Sequence, residues 1–207
     1  MKTKRKLKAY ALFAGAGGMH LGLQNAGIEV LVASDHAKPA ADTHLKNWSR
    51  VPFICKDVRT LSSQELLSAA KNIKPDLIVG GPPCQGFSGI GYRRSYSVDK
   101  VSLPSNHLYG RMARIISSLR PRIFLFENVQ GLLNSKWTRE DGKQIWPDVQ
   151  AEFAALGIPA NVVEMQELPV ADQIGMASSA DMLFGAHGDA LTWAIFMRNG
   201  ALLEAVP

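Results

Sequence analysis

The chain has 207 residues, of which 46% are hydrophobic and 20% are charged, and its formal net charge is +5 at pH 7. This composition is that of an ordinary globular protein, and the length suits one domain or slightly more. No apolar run approaches the roughly 18 residues of a membrane-spanning helix. The two cysteines are too few for a disulfide framework or a four-cysteine zinc site, so we expect a reducing compartment and no metal.

Strand-like and helix-like segments alternate along the first two thirds of the chain. Strands are predicted at Lys8–Phe13, Ile28–Ala33, Val51–Cys55, Asp76–Val79 and Arg122–Phe126. Helices are predicted at Met19–Ala26, at Pro39–Asn47, from Ser62 with a Ser62/Glu65 capping box, and at Asn106–Leu119. Strands that alternate with helices pair in parallel, so we expect an α/β fold with a doubly wound, mostly parallel, Rossmann-like sheet.

Polar or glycine-rich residues follow each predicted strand. In chain order they are Gly15–Gly18, Asp35, Asp57, Cys84 and Glu127. Ligands of open parallel sheets bind beyond the carboxyl ends of the strands. The sequence therefore predicts that these groups converge on one rim of the sheet.

The glycine turn and the two aspartates suit a nucleoside cofactor. A turn that contains Gly15, Gly17 and Gly18 would let a ligand approach the backbone, although a tight turn without a ligand is as common. Asp35 follows at about the spacing of an acid that binds ribose hydroxyls, with a solvated loop acid as the alternative. Asp57 can accept a hydrogen bond from an adenine amino group or cap a turn.

Cys84 and Glu127 are the candidate catalytic residues. Cys84 lies between Pro-Pro and Gln-Gly at a strand end, a place that suits a nucleophile better than the usual buried cysteine. Glu127 follows an apolar strand, where partial desolvation would raise its pKa and let it donate to a base, unless it only caps the next turn. The polar segment Ser88–Ser105 is too long for a simple connector and is expected to be a mobile functional loop.

Together these motifs resemble the cytosine-5 DNA methyltransferase family over residues 8 to 157. The similar segments are Leu12-Phe13-Ala14-Gly15-Ala16-Gly17-Gly18 for the first cofactor motif, Pro83-Cys84-Gln85-Gly86-Phe87-Ser88 for the catalytic motif, Asn106-His107-Leu108 for a further cofactor-contacting segment, and Glu127-Asn128-Val129 for the glutamate motif. Their order and spacing agree with the family pattern.

The resemblance implies that S-adenosylmethionine is the methyl donor and that a cytosine flipped out of double-stranded DNA is the acceptor. It implies catalytic roles for Cys84 and Glu127. The implied cofactor-binding residues are Phe13, Gly15, Gly17, Gly18, Asp35, Asp57, Pro83 and Leu108. The implied cytosine-binding residues are Gln85, Ser88, Asn128 and Val129. A cytoplasmic enzyme of restriction–modification, associated with the nucleoid if bacterial, is expected, without a membrane partner.

The C-terminal part departs from this pattern. No arginine-rich strand motif or target-recognition domain is recognisable after Gly157, which leaves room for a separate chain that supplies target recognition. The segment around Gly185-Ala186-His187-Gly188 resembles instead the glycosyltransferase family that includes plant xylosyltransferases, except at Asp189. Alternatively, this segment extends the sheet.

We therefore expect an incomplete methyltransferase domain at residues 1–157 and a strand-helix-strand-helix extension of different ancestry at 158–207. Three functions stay open for the chain. They are cytosine methylation, a non-catalytic remnant that binds cofactor or DNA weakly, and glycosyl transfer centred on His187.

Overall fold

The computed structural model describes residues 5–83, 100–128, 131–138, 142–157, 182–186 and 201–205. Several predicted functional residues lie outside this part of the chain, namely Cys84, Gln85, Ser88, Val129 and His187. Among the helices that the structure describes, none has the length and apolar character to cross a membrane.

Five parallel strands form the central sheet in the order β3-β2-β1-β4-β5. They are β1 (Lys8–Leu12), β2 (Glu29–Asp35), β3 (Phe53–Cys55), β4 (Leu77–Gly80) and β5 (Ile123–Phe126). All four neighbouring pairs run parallel, which confirms the predicted Rossmann-like α/β fold. The strand order reverses between β1 and β4, and ligands of such sheets bind at this switch point.

The first four helices connect the strands close to their predicted positions, and two further helices follow β5. They are α1 (Gly18–Asn25), α2 (Lys38–Asn47), α3 (Ser63–Ala69), α4 (Leu108–Leu119), α5 (Gly131–Asn134) and α6 (Trp146–Ala154). The predicted boundaries agree within two residues. The largest difference at a helix is the start of α4, because Pro104–His107 forms a 3-10 turn in place of its first residues.

The predicted capping box of α3 is confirmed. The backbone N–H of Glu65 donates to Ser62 Oγ at 3.1 Å, and the backbone N–H of Ser62 donates to Glu65 Oε2 at 2.9 Å. Two N–H groups at the helix start are thereby satisfied within the chain.

Hydrophobic cores cover both faces of the sheet. In β1, Tyr10 and Leu12 belong to a core that includes residues of α3, α4 and α6, whereas Ala9 and Ala11 belong to a second core that includes Leu23 of α1. The central strands β1 and β4 are buried on both faces, as expected for parallel strands between two layers of helices. This packing fixes the strand ends that carry the candidate site.

The described C-terminal residues form a second, smaller sheet. Strand β6 (Met182–Ala186) pairs in parallel with β7 (Ala201–Ala205). These two strands make a sheet of their own and do not join the five-stranded sheet.

Candidate active site

The turn after β1 is tied to the end of β2. Phe13, Gly15 and Gly17 have positive φ angles of 52°, 53° and 110°. The backbone N–H of Ala14 donates to the Ser34 carbonyl at 3.0 Å, and that of Gly15 donates to Asp35 Oδ2 at 2.9 Å. Since only glycine adopts such angles without strain, the glycines let the chain turn sharply into α1.

Asp35 is held as an acceptor at this junction. Its Oδ1 accepts the backbone N–H of Ala37 at 2.9 Å and lies 3.2 Å from Nδ1 of His36. Each carboxylate oxygen can accept two hydrogen bonds, so Oδ2, which accepts the Gly15 N–H, has a lone pair for a ligand hydroxyl. The side chain is 12% exposed and its orientation is fixed by the backbone.

A cavity of about 360 Å³ opens at the carboxyl ends of the strands, next to the switch point. Its volume is within the range of small-molecule sites. Five of the eight predicted cofactor-binding residues line it, namely Phe13, Asp35, Asp57, Pro83 and Leu108. The other three, Gly15, Gly17 and Gly18, form the adjoining turn and are not part of the lining.

Sequence reasoning did not single out the remaining lining residues, which are Ser34, His36, Lys56, Val58, Arg59, Pro104 and Ser105. Most of them are chain neighbours of residues that were predicted. The signal that could have identified them is their position at the end of a strand. Pro104 and Ser105 come to the cavity through the 3-10 turn before α4, which the helix pattern did not indicate.

Asp57 both lines the cavity and caps its own turn, which is the alternative that the sequence left open. Its Oδ1 accepts the backbone N–H of Arg59 at 2.8 Å, and the guanidinium of Arg59 donates to Oδ2 at 2.6 Å. Hydrogen bonds from the Arg59 side chain and backbone lower the pKa of Asp57 to about 2. Asp57 is therefore a charged acceptor at neutral pH.

Glu127 lies directly beyond β5, beside the loop that follows β4. Its backbone N–H donates to the Gly80 carbonyl at 3.0 Å, which continues the β4–β5 ladder past the last paired residues. A Cβ at Gly81 would lie closer than 3.0 Å to Glu127 Oε2, so the carboxyl group occupies the space that a side chain at position 81 would need. Burial raises the pKa of Glu127 above its ordinary value. A protonated fraction is thereby favoured, and a protonated carboxyl group can donate a hydrogen bond.

Asn128 links the segment after β5 to the loop after β4. Its Nδ2 donates to the Pro82 carbonyl at 3.1 Å. The glutamate segment thus lies against Gly81 and Pro82, a few residues before Cys84. Pro83, the last described residue of this loop, also lines the cavity. The tertiary structure therefore brings Glu127, the approach to Cys84 and the cavity to one rim of the sheet.

Comparisons with known proteins agree with this arrangement. A sequence model of the C-5 cytosine-specific DNA methylase family matches residues 7–157. The chain is 38% identical over 151 residues to the type II methyltransferase M.FnuDI of Fusobacterium nucleatum and 35% identical over 162 residues to M.AgeI of Thalassovita gelatinovora. These matches cover 73% and 77% of this chain but 39% and 35% of the relatives, so the chain spans less than half of their length.

A solved E. coli structure, described as a DNA modification methyltransferase encoded within a prophage, shares the fold. It matches with a TM-score of 0.57 and 31% identity over 72% of this chain and 38% of its own. A second sequence model, that of glycosyltransferase 61, matches residues 138–203 and overlaps the end of the first match. The methylase match covers most of the chain and includes the described rim. The chain therefore belongs to the C-5 cytosine-specific DNA methylase family.

Proposed function

We propose that this chain binds S-adenosylmethionine and transfers its methyl group to carbon 5 of a cytosine in double-stranded DNA. One observation carries the proposal. The desolvated carboxyl group of Glu127 lies over Gly81, in the loop that leads to Cys84, and Pro83 of the same loop lines a cavity of about 360 Å³. The type II methyltransferases among its relatives support a restriction–modification role.

The residues of the cavity fit S-adenosylmethionine. Asp35 offers a fixed carboxylate to the ribose hydroxyls, and Asp57 offers a charged acceptor to the adenine amino group. Phe13 and Leu108 supply apolar surface for the adenine ring. When bound, the cofactor supplies a methyl group on a positively charged sulfur, which makes that methyl group electrophilic.

The chain's own residues would activate the cytosine. The Cys84 thiolate forms a bond to carbon 6, and Glu127 gives its proton to ring nitrogen 3, so the electron pair of the ring double bond becomes available at carbon 5. After carbon 5 is methylated, a base removes its proton, the double bond re-forms, the bond to Cys84 breaks, and ring nitrogen 3 returns its proton to Glu127. Gln85, Ser88, Asn128 and Val129 would contact the flipped base.

Calorimetric titration with S-adenosylmethionine tests the cofactor site. We expect micromolar binding by the wild type and at least a tenfold weaker affinity for Asp35→Ala, because the variant loses the ribose acceptor and the anchor of the Gly15 N–H. Asp42→Ala is the matched control, since Asp42 is exposed on α2 and pairs only with Lys38 among the contacts described for it. Equal affinity for all three proteins would contradict the assignment of Asp35.

Trapping on DNA that contains 5-fluorocytosine tests the chemistry. Fluorine at carbon 5 blocks the final elimination, so a working site leaves a covalent adduct through Cys84. We expect an adduct with the wild type and none with Cys84→Ser. A folded wild-type protein that binds the cofactor without forming an adduct would favour the non-catalytic alternative.

We further propose that the methyltransferase domain ends near residue 157 and that residues 158–207 form an extension of different ancestry. The end of the methylase match at residue 157 and the separate sheet of β6 and β7 support this division. The expected place of action of this protein is the cytoplasm, on the nucleoid if the protein is bacterial.

A further inference from the structure

A cluster of four aromatic rings, two buried and two half-buried, lies behind the glycine turn. It consists of His20 from α1, His44 from α2, Trp48 at the end of α2 and Phe53 from β3. His20 is 4% exposed and His44 is fully buried. Trp48 stacks on His20 with ring centroids 4.2 Å apart, and the rings of Trp48 and Phe53 lie 4.9 and 4.8 Å from that of His44. The cluster therefore packs α1, α2 and β3 together.

This cluster contacts the turn at Gly17. A Cβ at Gly17 would lie closer than 3.0 Å to two ring carbons of Trp48 and 3.1 Å from Cδ2 of His44. The indole Nε1 of Trp48 donates to Gln24 Oε1 at 2.7 Å, which holds the ring against α1. The rings thus form a wall behind the glycine turn. In the same turn, the Gly15 N–H donates to the carboxylate of Asp35 at the cavity.

The two histidines are at hydrogen-bonding distance from each other. His20 Nδ1 lies 2.9 Å from His44 Nε2, so one of the two nitrogens donates its N–H and the other accepts it. Among the buried polar atoms of the described residues, His44 Nδ1 has no hydrogen-bond partner. When His44 Nε2 donates to His20 Nδ1, the neutral pair leaves His44 Nδ1 without hydrogen. A further proton would place hydrogen on both outer ring nitrogens, and the N–H at His44 Nδ1 would then be a buried donor without an acceptor among the described residues. The hydrogen-bonding arrangement therefore favours the neutral form of the histidine pair.

The surroundings of the pair agree with this conclusion. Burial, followed by the nearby His44, lowers the pKa of His20 to about 4, and burial lowers the pKa of His44. His20 is the only ionisable residue of α1. The other charged side chains of α2, namely Lys38, Asp42 and Lys46, are exposed, as is Cys55 of β3. Strand β2 also packs against α1 and α2, and it carries Glu29, which is exposed, and Asp35, whose carboxylate accepts the N–H groups of Gly15 and Ala37. None of the acidic groups named here bonds to either histidine.

We propose that His20, His44 and Trp48 are positioning residues that hold the Gly15–Gly18 turn in the conformation that binds the cofactor, and that this requires the histidine pair to be neutral. The inference rests on the proposed cofactor site. Two rigid rings against Gly17 set the path of the backbone between Phe13 and α1, and through Gly15 they set the place of the Asp35 carboxylate. Loosening the wall would therefore weaken cofactor binding without touching Cys84 or Glu127.

Calorimetry with S-adenosylmethionine at pH 7.5 gives the first test. His44→Ala should lower the affinity on the order of tenfold, because the turn loses its support. His44→Gln, which keeps a side-chain N–H within reach of His20 Nδ1, should restore most of the affinity. The control is Leu119→Ala, which removes a core side chain at the far end of α4 and should lower the melting temperature without changing the affinity.

The ligand-free protein gives a second test that does not depend on the cofactor. In NMR titrations of the wild type, the amide signals of Gly17 and Gly18 should move with the same midpoint as the histidine ring signals, well below the ordinary pKa of histidine. In the double variant His20→Asn/His44→Gln, which keeps a neutral hydrogen bond, these amides should not titrate in that range.

The outcomes separate the two proposals. Unchanged affinity in His44→Ala, or turn amides that do not follow the histidine rings in the wild type, would overturn the positioning role even if the cofactor binds. If His44→Ala does not fold, the affinity of His44→Gln and the wild-type NMR titration decide. A wild type that does not bind S-adenosylmethionine, but whose turn amides titrate with the rings, would overturn the proposed cofactor and support the coupling of pair and turn.

Discussion

At the scale of single residues, the contact between Glu127 and Gly81 explains why the glutamate is available for proton transfer. Since position 81 has no side chain, the carboxyl group can lie against the backbone of the neighbouring loop, where burial raises its pKa. Pairing of β4 with β5 sets this contact, because the Glu127 N–H continues the ladder to Gly80. Backbone hydrogen bonds thus align Glu127, the proposed proton donor, with the segment that leads to Cys84.

We predict that Glu127→Gln lowers the methylation rate by about 10² to 10⁴, because glutamine can donate a hydrogen bond but cannot transfer a proton. The raised pKa means that the wild-type rate should fall as the pH rises through that pKa and Glu127 loses its proton. This limb of the pH–rate profile should be absent from the variant. Affinity for S-adenosylmethionine should stay the same, since Glu127 does not line the cavity.

Single-turnover kinetics across the pH range checks this prediction. Glu152→Gln is the matched control, because Glu152 is an exposed glutamate on α6. A rate for Glu127→Gln within about threefold of the wild type would exclude proton transfer by this residue.

At the scale of the elements, the sequence predicted the bounds of helices and strands well where residues close together in the chain determine them. The α3 start is such a case, since Ser62 and Glu65 satisfy each other's backbone groups without help from the rest of the fold. The start of α4 is a different case. The sequence predicted a loop up to Ser105 and a helix from Asn106, whereas the structure has a 3-10 turn at Pro104–His107 that brings Pro104 and Ser105 to the cavity.

Ser62→Ala should lower the free energy of unfolding by about 1 kcal/mol, because the backbone N–H of Glu65 loses its acceptor. Urea denaturation followed by circular dichroism measures this change. Ser68→Ala, at an exposed position near the other end of α3, is the control and should change the stability by less than about 0.5 kcal/mol. A similar loss in both variants would mean that the capping box does not stabilise the fold.

At the scale of the whole molecule, the packing of α1 and α2 against the sheet makes stability depend on pH. The pKa of His20 is about 4 in the folded protein and has its ordinary value, near 6.5, when the chain is unfolded. Between these values the unfolded chain binds more protons than the folded protein does. Stability is therefore fully present above pH 6.5 and is lost as the pH falls towards 4.

We predict that the free energy of unfolding falls by on the order of 3 kcal/mol between pH 6.5 and pH 4 on account of His20. Chemical denaturation at several pH values, compared with the double variant His20→Asn/His44→Gln, measures the joint contribution of His20 and His44, because all other titrating groups are common to both proteins. The lowered pKa of His44 acts in the same direction as that of His20. Equal slopes of stability against pH in the two proteins would show that the pair does not stay neutral on folding.

The sequence by itself determined the alternation of strands and helices, the parallel sheet, the capping box and the identity of the residues at the strand ends. These features follow from hydrophobic periodicity, from turn chemistry and from side chains that act on their own backbone. The same reasoning indicated that Asp35 and Glu127 would meet at one rim, because parallel strands end on the same side.

Only the tertiary structure decided how these residues meet. Three contacts join residues from different elements: the close approach of Glu127 to Gly81, the 3-10 turn that brings Pro104 to the cavity, and the 2.9 Å contact between the rings of His20 and His44. Such contacts depend on strand register and on the packing of helices across the sheet. Neither is contained in the pattern of any one segment, because each depends on which distant side chains fill the space between two elements.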